Sequence, residues 1–408
     1  MCMPSLSKRD SILFSVSLAI FEFAAYIAND MIQPAMLEIV ANFNAGIEWV
    51  PTSFTAYLAG GVLLQWFFGP LSDIRGRRPV MLLGVIFFII SCFAILFSSS
   101  IEQFMFMRFL QGIGLCFIGS VGYATIQEAF EEKICVKIIA LMANIALVSP
   151  LLGPLVGAVL VNILPWQGMF VIVAIVSLFS FVGLLLFMPE TVQKKGETLS
   201  FYRLGCDYKD VLKNKLFING SLAIGLANVP LFAWIALSPV ILISGKGLSI
   251  ITYSFLQVPV LGGLIVGNFT LSYLTEKITL INLIKLSEKP MIIGLIVAFL
   301  GSELYPSSDF IWITAGLSLY TFGLGISNAC LTRLTLFSSD ISKGTVSAAM
   351  SMIGMIVFIL GIEASKIIYL WGREYAFNLL NLSSGLLWLI LVTIFIRHFS
   401  HKDKTPTV

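Results

Sequence analysis

Charged residues are scarce in this chain. They form 12% of its 408 residues, whereas hydrophobic residues form 58%, and an ordinary soluble domain has roughly 25% charged residues. This deficit excludes a soluble globular protein and indicates a polytopic membrane protein. The net charge is only +3, and the basic residues lie in short loops instead of one patch or tail. A nucleic-acid-binding protein is therefore not supported.

Histidine is nearly absent, and cysteine is few and scattered. Both histidines, His398 and His401, lie at the C-terminal end, so any proton chemistry within the membrane must use carboxylates. The six cysteines include no CxxC pair, which argues against a disulfide framework or a metal centre. A Walker-type nucleotide loop is also missing. We therefore expect a protein without enzymatic activity, metal or organic cofactor.

Long apolar runs, in contrast, are abundant. A helix that crosses a bilayer needs roughly 20 apolar residues, and twelve segments of the sequence meet this need. They lie near residues 11–34, 49–70, 79–98, 103–127, 136–161, 168–188, 216–243, 252–274, 281–302, 309–336, 344–369 and 376–397. The ninth is the least apolar, because Lys285, Glu288 and Lys289 interrupt it. We predict an all-α polytopic membrane protein with twelve transmembrane helices.

The distribution of lysine and arginine predicts the orientation of these helices. Most of the 25 basic residues fall in alternate short loops, which places those loops and both termini in the cytoplasm. The longest polar segment, Pro189–Lys215, separates the sixth span from the seventh. We therefore predict two six-helix bundles, at residues 1–188 and 216–397, joined by a cytoplasmic linker at 189–215 and followed by a cytoplasmic tail at 398–408.

Two acids interrupt the first apolar span. The segment LAIFEFAAYIANDMIQPAM, residues 18–36, contains Glu22 and Asp30, and a carboxylate at mid-bilayer costs ~2.5–3.5 kcal/mol. Eight helical residues separate the acids by about 80° of rotation beyond two turns and by about 12 Å of rise, so both can line one cavity. Tyr26 lies between them. Intramembrane acids of this kind usually serve a function.

An arginine lies at the start of the fourth span, in RFLQGIGLCFIGSVGYATIQEAFEE, residues 108–132. Inside a membrane, Arg108 requires a carboxylate, a carbonyl or a water-filled cavity. Glu22 and Asp30 are the nearest anions by hydropathy, and Gln111 lies near the same helical face. The alternative is that Arg108 extends to an interface as a structural anchor.

Two further segments combine glycine and proline. GPLSDIRGRRPVM, Gly69–Met81, allows a tight reversal between the second and third spans, and Asp73 can accept from a helix N-terminus or a guanidinium. Simple positive-inside anchoring is the alternative for this loop. In the fifth span, SPLLGPLVG (residues 149–157) contains two prolines that can bend a helix and two glycines that permit close packing; this pattern is also compatible with fold geometry alone.

These segments, together with GIEWVPTSFTAYLAGG, RLTLFSSDISKGTVSAAM and GIEASK, resemble drug/proton antiporters of the major facilitator superfamily over nearly the whole chain. The resemblance implies a bacterial inner-membrane exporter, a monomer in the lipid bilayer, that exchanges lipophilic neutral and cationic drugs for protons as the coupling ion. One departure is that Ile74 and Arg75 stand where family members more often have arginine followed by an apolar residue.

The resemblance also implies roles for particular residues. Proton and substrate coupling falls to Glu22, Asp30 and Arg108. The cytoplasmic loop motif comprises Gly69, Asp73, Gly76 and Arg77, and the antiporter motif comprises Pro150, Gly153, Pro154 and Gly157. The implied substrate pocket comprises Tyr26, Asn29, Gln111, Tyr123, Met142, Ala146 and Phe232.

Our mechanistic hypothesis is that proton and drug compete for the two acids. Asp30 lies beside Asn29 and before Ile-Gln-Pro, in locally polar surroundings, and is assigned the obligatory coupling; Glu22, between Phe21 and Phe23, is assigned the selection of cationic drugs. One alternative is a proton-coupled symporter for a metabolite or sugar, which would need more fixed polar ligands. A receptor or structural protein would not need charges in the bilayer.

The remaining charges near the spans are interpreted as structural. Glu363 and Lys366 lie three residues apart on the eleventh span and should neutralise one another. Arg333 should anchor the tenth span at an interface. The three acids Glu128, Glu131 and Glu132 should form a solvated cytoplasmic face.

Overall fold

The computed structural model describes residues 7–192, 201–339, 341 and 343–402. These residues are almost entirely helical and include no β-strand, which confirms the predicted all-α class. The chain divides into two compact units, Met1–Ser200 and Phe201–Val408. Residues 193–200 of the predicted linker and 403–408 of the predicted tail lie outside the described residues.

Ten α-helices form the first unit. They are α1 (Lys8–Asp30), α2 (Met36–Asn42), α3 (Trp49–Leu63), α4 (Gln65–Arg75), α5 (Arg77–Ala94), α6 (Ile101–Gly112), α7 (Gly114–Phe117), α8 (Tyr123–Ala129), α9 (Glu132–Leu160) and α10 (Trp166–Phe187). Short 3₁₀ segments follow α1 and α5, at Gln33–Ala35 and Ile95–Phe97, and a π-helical segment, Ile118–Gly122, joins α7 to α8. Helix α1 packs against both α9 and α10.

Two helical distortions lie beside each other in the first unit. Helices α3 and α4 meet at Leu64 with a bend of 40°, and the π segment lies in the predicted fourth span. The Ser120 hydroxyl donates to the Gln65 carbonyl oxygen at 3.1 Å, and the Cys116 thiol donates to that of Gly61 at 3.0 Å. These bonds satisfy backbone carbonyls close to the break, where the regular helical pattern is interrupted.

Six α-helices form the second unit. They are α11 (Phe201–Lys213), α12 (Lys215–Ser238), α13 (Ile250–Leu274), α14 (Leu280–Leu304), α15 (Asp309–Leu336) and α16 (Lys343–Lys402). Asn214 caps α12 by accepting from the backbone N–H groups of Leu216 and Phe217. A π segment, Pro239–Gly245, extends α12, and a 3₁₀ turn, Pro306–Ser308, precedes α15.

Helix α16 covers the last two predicted spans. Its backbone leaves the helical conformation at Gly372 and Arg373, and Arg373 has a φ of 52°. The break falls between residues 369 and 376, where the sequence predicts the loop between these spans. An ion-pair cluster lies nearby: Lys246 Nζ is 2.5 Å from Asp309 Oδ2 and 3.5 Å from Glu374 Oε1.

In the described part of the chain, nine helices are long and apolar enough to cross a membrane, or ten if the bent pair α3 and α4 forms one span. The broken helix α16 counts once among them, and α14, which carries Lys285, Glu288 and Lys289, is not among them. The apolar helices support a multi-pass membrane protein. The number of twelve crossings and the cytoplasmic location of both termini stay predictions.

Candidate functional site

The acids of α1 are buried within the first unit. Glu22 is fully enclosed, and its Oε1 accepts a hydrogen bond from the Tyr123 hydroxyl at 3.0 Å. The other oxygen, Oε2, is buried without a hydrogen-bond partner among the described residues. Helix α1 thus presents one half-satisfied carboxylate to α8, and an unpaired buried acceptor of this kind is costly unless a ligand or a proton occupies it.

Asp30 is the last residue of α1 and packs against α9. A Cβ added to Gly153 would lie 2.4 Å from the Asp30 Cβ, and one added to Gly157 would lie 2.0 Å from the Met31 carbonyl oxygen. Only glycine at both positions allows this approach of the two helices. The Asp30 carboxylate forms no hydrogen bond or ion pair with a described residue, although it lies within electrostatic range of Arg108; it is buried beside the glycines of the predicted antiporter motif.

Neutral groups surround Arg108, which is fully buried. Its guanidinium donates to Asn29 Oδ1 at 2.7 Å, to Gln111 Oε1 at 2.5 Å and to the Ala28 carbonyl oxygen at 3.2 Å. It also donates to Ser53 Oγ at 3.2 Å and lies 4.6 Å from the centre of the Tyr57 ring. The interface-anchor alternative does not fit this burial.

The predicted carbonyl partner of Arg108 is present, but a direct carboxylate partner is not. Among the described residues, neither Glu22 nor Asp30 forms an ion pair with the guanidinium. The physical reason is the position of α1: its end brings the Asn29 amide and the Ala28 carbonyl to α6, and these occupy the donors. Both Asn29 and Gln111, expected to line a pocket, are thus primarily ligands of Arg108.

The other expected pocket residues are distributed over both units. Tyr26 is half-buried on α1 between the acids. On α9, Met142 is buried and Ala146 half-buried, four residues apart on a stripe that leads to Pro150. Helix α9 remains one continuous helix across Pro150 and Pro154. Phe232 belongs to α12 of the second unit, where its ring lies 4.6 Å from that of Phe358.

The structure brings the cytoplasmic loop motif together around Arg77. This guanidinium forms an ion pair with Asp73 and donates to both carboxylate oxygens of Glu128, at 2.7 and 3.2 Å. It also donates to Ser72 Oγ at 2.5 Å and to the Gly69 carbonyl oxygen at 3.4 Å. Glu128 is exposed, as expected for a solvated face, but its carboxylate also pairs with the buried Arg77 guanidinium, a partner that its position in sequence does not indicate.

Sequence reasoning missed two residues that complete this cluster. Glu190 accepts from the Arg77 backbone N–H at 2.9 Å, and the Thr191 hydroxyl donates to Glu128 at 2.5 Å. Gly76 between α4 and α5 has a φ of 103°, and a Cβ there would lie 2.2 Å from a Glu190 oxygen. An acid at the N-terminus of α5 is favourable to the helix dipole, but Glu190 is 113 residues away in sequence, and no local pattern identifies it.

Three of the charges interpreted as structural have partners in the second unit. Glu363 and Lys366 form an ion pair on α16, as their spacing predicts. The Arg333 guanidinium lies 5.1 Å from the centre of the Phe337 ring.

Comparisons with known proteins are consistent with this geometry. A family model for the Major Facilitator Superfamily matches residues 18–362. The chain is 63% identical over 389 residues, 95% of each chain, to "Multidrug transporter MdfA" of Yersinia pestis bv. Antiqua (strain Angola). It is 59% identical, over the same shares, to the protein of that name from Edwardsiella piscicida.

Solved structures are similar in fold. The chain is similar to a bacterial homologue of the human lysosomal transporter Spinster in an inward-facing, unoccupied conformation. The TM-score is 0.70 at 15% identity, covering 98% of this chain and 100% of that one.

Proposed function

The chain belongs to the Major Facilitator Superfamily, and from this premise we propose that it is a multidrug exporter of the bacterial inner membrane. It exchanges lipophilic neutral and cationic compounds for protons by alternating access. The relatives named multidrug transporter support the substrate class, because they match 95% of the chain at 59–63% identity. The expected glycine and proline motif of α9, which packs on Asp30, supports the antiport direction.

One observation carries the proton coupling: Asp30 is buried next to α9 without a hydrogen bond or ion pair to a described residue, while Arg108 is satisfied by neutral groups. If Arg108 were paired with Asp30, a proton would have to break that pair. Because the guanidinium is held by Asn29 and Gln111 instead, Asp30 can bind and release a proton without moving Arg108.

Glu22 is suited to a different task. Tyr123 orients its carboxylate through one oxygen and leaves Oε2 buried and unpaired among the described residues. A cationic drug that reaches this oxygen gains an ion pair in a medium of low dielectric constant, where such an attraction is strong. A neutral drug gains nothing from the charge, so Glu22 distinguishes the two classes.

Transport in proteoliposomes tests both assignments. Purified wild type, Asp30→Asn, Glu22→Gln and the matched control Glu38→Gln, an exposed acid on α2, are assayed for exchange driven by a pH gradient. The substrates are ethidium and one neutral lipophilic drug. We expect Asp30→Asn to abolish proton-driven exchange of both substrates, Glu22→Gln to reduce ethidium transport selectively, and Glu38→Gln to resemble wild type.

The proposal is wrong if wild type moves neither compound in response to the gradient. Normal proton-driven exchange by Asp30→Asn would contradict the coupling role of Asp30. Equal losses of ethidium and neutral-drug transport in Glu22→Gln would contradict the selectivity role.

A further inference from the structure

An apolar groove in the first unit is lined by residues other than the acids of α1. We propose that this groove, between α4, α5 and α7, binds one acyl chain of an anionic phospholipid, with Arg75 contacting the phosphate of its headgroup. This inference does not depend on the proposed transport function.

The groove is a cavity of about 430 Å³, within the ~300–1,000 Å³ typical of small-ligand sites. All ten described residues that line it are apolar; Phe68 and Leu71 lie on α4 just after Leu64, Ile86 and Ile90 lie on α5, and Phe117 lies on α7. Such a lining excludes a polar or charged ligand from the groove itself and fits a hydrocarbon chain.

The dimensions of the groove match one leaflet of a bilayer. Its wall on α5 extends from Val80 to Ile90, ten residues that span about 15 Å of helix. A bilayer has a hydrocarbon core of ~30 Å, so the groove has the length of one monolayer. Leu83 and Ile90 in this wall are 65% and 59% exposed, so the groove opens outwards and a lipid can enter sideways.

The backbone builds this groove, which explains why it does not close. The 40° bend at Leu64 directs α4 away from the line of α3, and the π segment Ile118–Gly122 begins directly after the lining residue Phe117. Ser120 and Cys116 hydrogen-bond to carbonyls on both sides of the break. Apolar surface left in contact with water is unfavourable, and an acyl chain covers the groove without disturbing these bonds.

The positive charge of Arg75, at the end of α4, indicates that the lipid headgroup is anionic. Arg75 ends α4 close in sequence to the lining residues Leu71 and Val80. It is exposed and forms no hydrogen bond or ion pair with a described residue. Arg77 is committed to Asp73 and Glu128, and Arg78 donates to the Leu185 carbonyl oxygen at 2.6 Å. Arg75 is therefore available to a phosphate, and it would repel a cationic transport substrate.

Lipid titration of the full-length protein, followed by native mass spectrometry, tests the site. Phosphatidylglycerol and phosphatidylethanolamine with 16-carbon chains are compared. We expect wild type to bind its first phosphatidylglycerol about fivefold more tightly, the effect of one juxtamembrane arginine. Arg75→Gln should abolish this preference, whereas the control Arg397→Gln, also exposed at an end predicted to be cytoplasmic, should retain it.

Substitutions that fill the groove test the acyl-chain position. Leu83→Trp should weaken the first binding event about tenfold or more, and Ile90→Trp provides an independent variant if the former does not fold. Leu186→Trp on α10 is the matched control, because Leu186 is 64% exposed and lies outside the groove; it should bind lipid as wild type does. Phosphatidylglycerol with a photoreactive acyl chain should label α4 and α5 in wild type and the control only.

Three results would overturn the proposal. The first is unchanged lipid affinity in folded Leu83→Trp and Ile90→Trp. The second is labelling spread evenly over the exposed helices, α10 included. The third is a combined result in which a transported dye displaces the lipid and Arg75→Gln binds lipid as tightly as wild type does. That result would make the groove a substrate site.

Discussion

The arrangement around Arg108 shows how a buried cation can be stabilised without an ion pair. Hydrogen bonds to a charged group contribute about 1.5–3 kcal/mol each, and Arg108 donates to four neutral acceptors. Removing one acceptor leaves part of a buried guanidinium unsatisfied. Because Asn29 and not an acid lies at this position, the guanidinium is held by a neutral amide and the Asp30 carboxylate takes no part in these hydrogen bonds.

Loss of the Asn29 amide should destabilise the first unit. We expect Asn29→Ala to lower the free energy of unfolding by about 1.5–3 kcal/mol, because it removes the 2.7 Å hydrogen bond from Arg108. Chemical unfolding of the purified protein in lipid–detergent micelles measures this change. Asn162→Ala is the control: Asn162 is exposed and its amide only donates to the Ala158 carbonyl of its own helix. Equal effects of the two substitutions would contradict the role given to Asn29.

At the scale of elements, the contact between α1 and α9 positions Asp30. The glycines of α9 allow its backbone to touch the end of α1, and the 3₁₀ segment Gln33–Ala35 begins immediately afterwards. The prolines and glycines that the sequence suggests as a motif thus have separate effects. Gly153 and Gly157 set the distance between the helices, whereas Pro150 and Pro154 lie in a helix that continues through them.

The close packing of α1 against α9 should be sensitive to the addition of one methyl group. Gly157→Ala would place a Cβ 2.0 Å from the Met31 carbonyl oxygen, so the helices must separate; overpacking of this kind costs about 1–3 kcal/mol. We expect a lower unfolding temperature and reduced proton-driven dye transport. The control Gly262→Ala lies in α13, where an added Cβ meets nothing within 4 Å, and should be neutral or stabilising by up to ~1 kcal/mol. Wild-type stability and transport in Gly157→Ala would disprove the requirement for close contact.

For the molecule as a whole, ion pairs at helix ends connect helices that are distant in sequence within each unit. In the first unit, Arg77 connects α5 to α4 and α8. In the second, Lys246 follows the π segment of α12 and binds both Asp309 at the start of α15 and Glu374 beyond the break in α16. Partial burial opposes the charged form of Lys246, but the hydrogen bond to Asp309 and the negative charge of Glu374 outweigh it. They raise the pKa of Lys246 above its ordinary 10.5.

This raised pKa predicts a loss of stability at alkaline pH. The contribution of Lys246 should be complete below its ordinary pKa of 10.5 and disappear as the pH rises through the higher folded-state value. We expect Lys246→Met to lower the unfolding temperature at neutral pH, and the difference from wild type to shrink above about pH 10.5. Lys209→Met, at an exposed lysine of α11, should show neither effect. A constant difference across the pH range would show that the charge of Lys246 is not what stabilises the second unit.

Most of the helices could be predicted from the sequence, because apolar runs of bilayer length are a local property. The acids of α1 and Arg108 could be singled out for the same reason: a charge within such a run is conspicuous. The partners of these charges were harder to predict. Glu128 was expected on a solvated acidic face, and it is exposed, but only the packing of the folded chain shows that it also binds Arg77 across 51 residues.

The sequence by itself determined that this is an all-helical membrane protein with Glu22, Asp30 and Arg108 placed in apolar spans. It also determined the family, because the motifs occur in order along the chain. Only the tertiary structure decided that Asn29 and Gln111 hold Arg108, that Tyr123 holds Glu22, and that the bend at Leu64 opens a groove. Hydropathy depends on neighbours along the chain, whereas hydrogen-bond partners depend on how helices from distant segments pack.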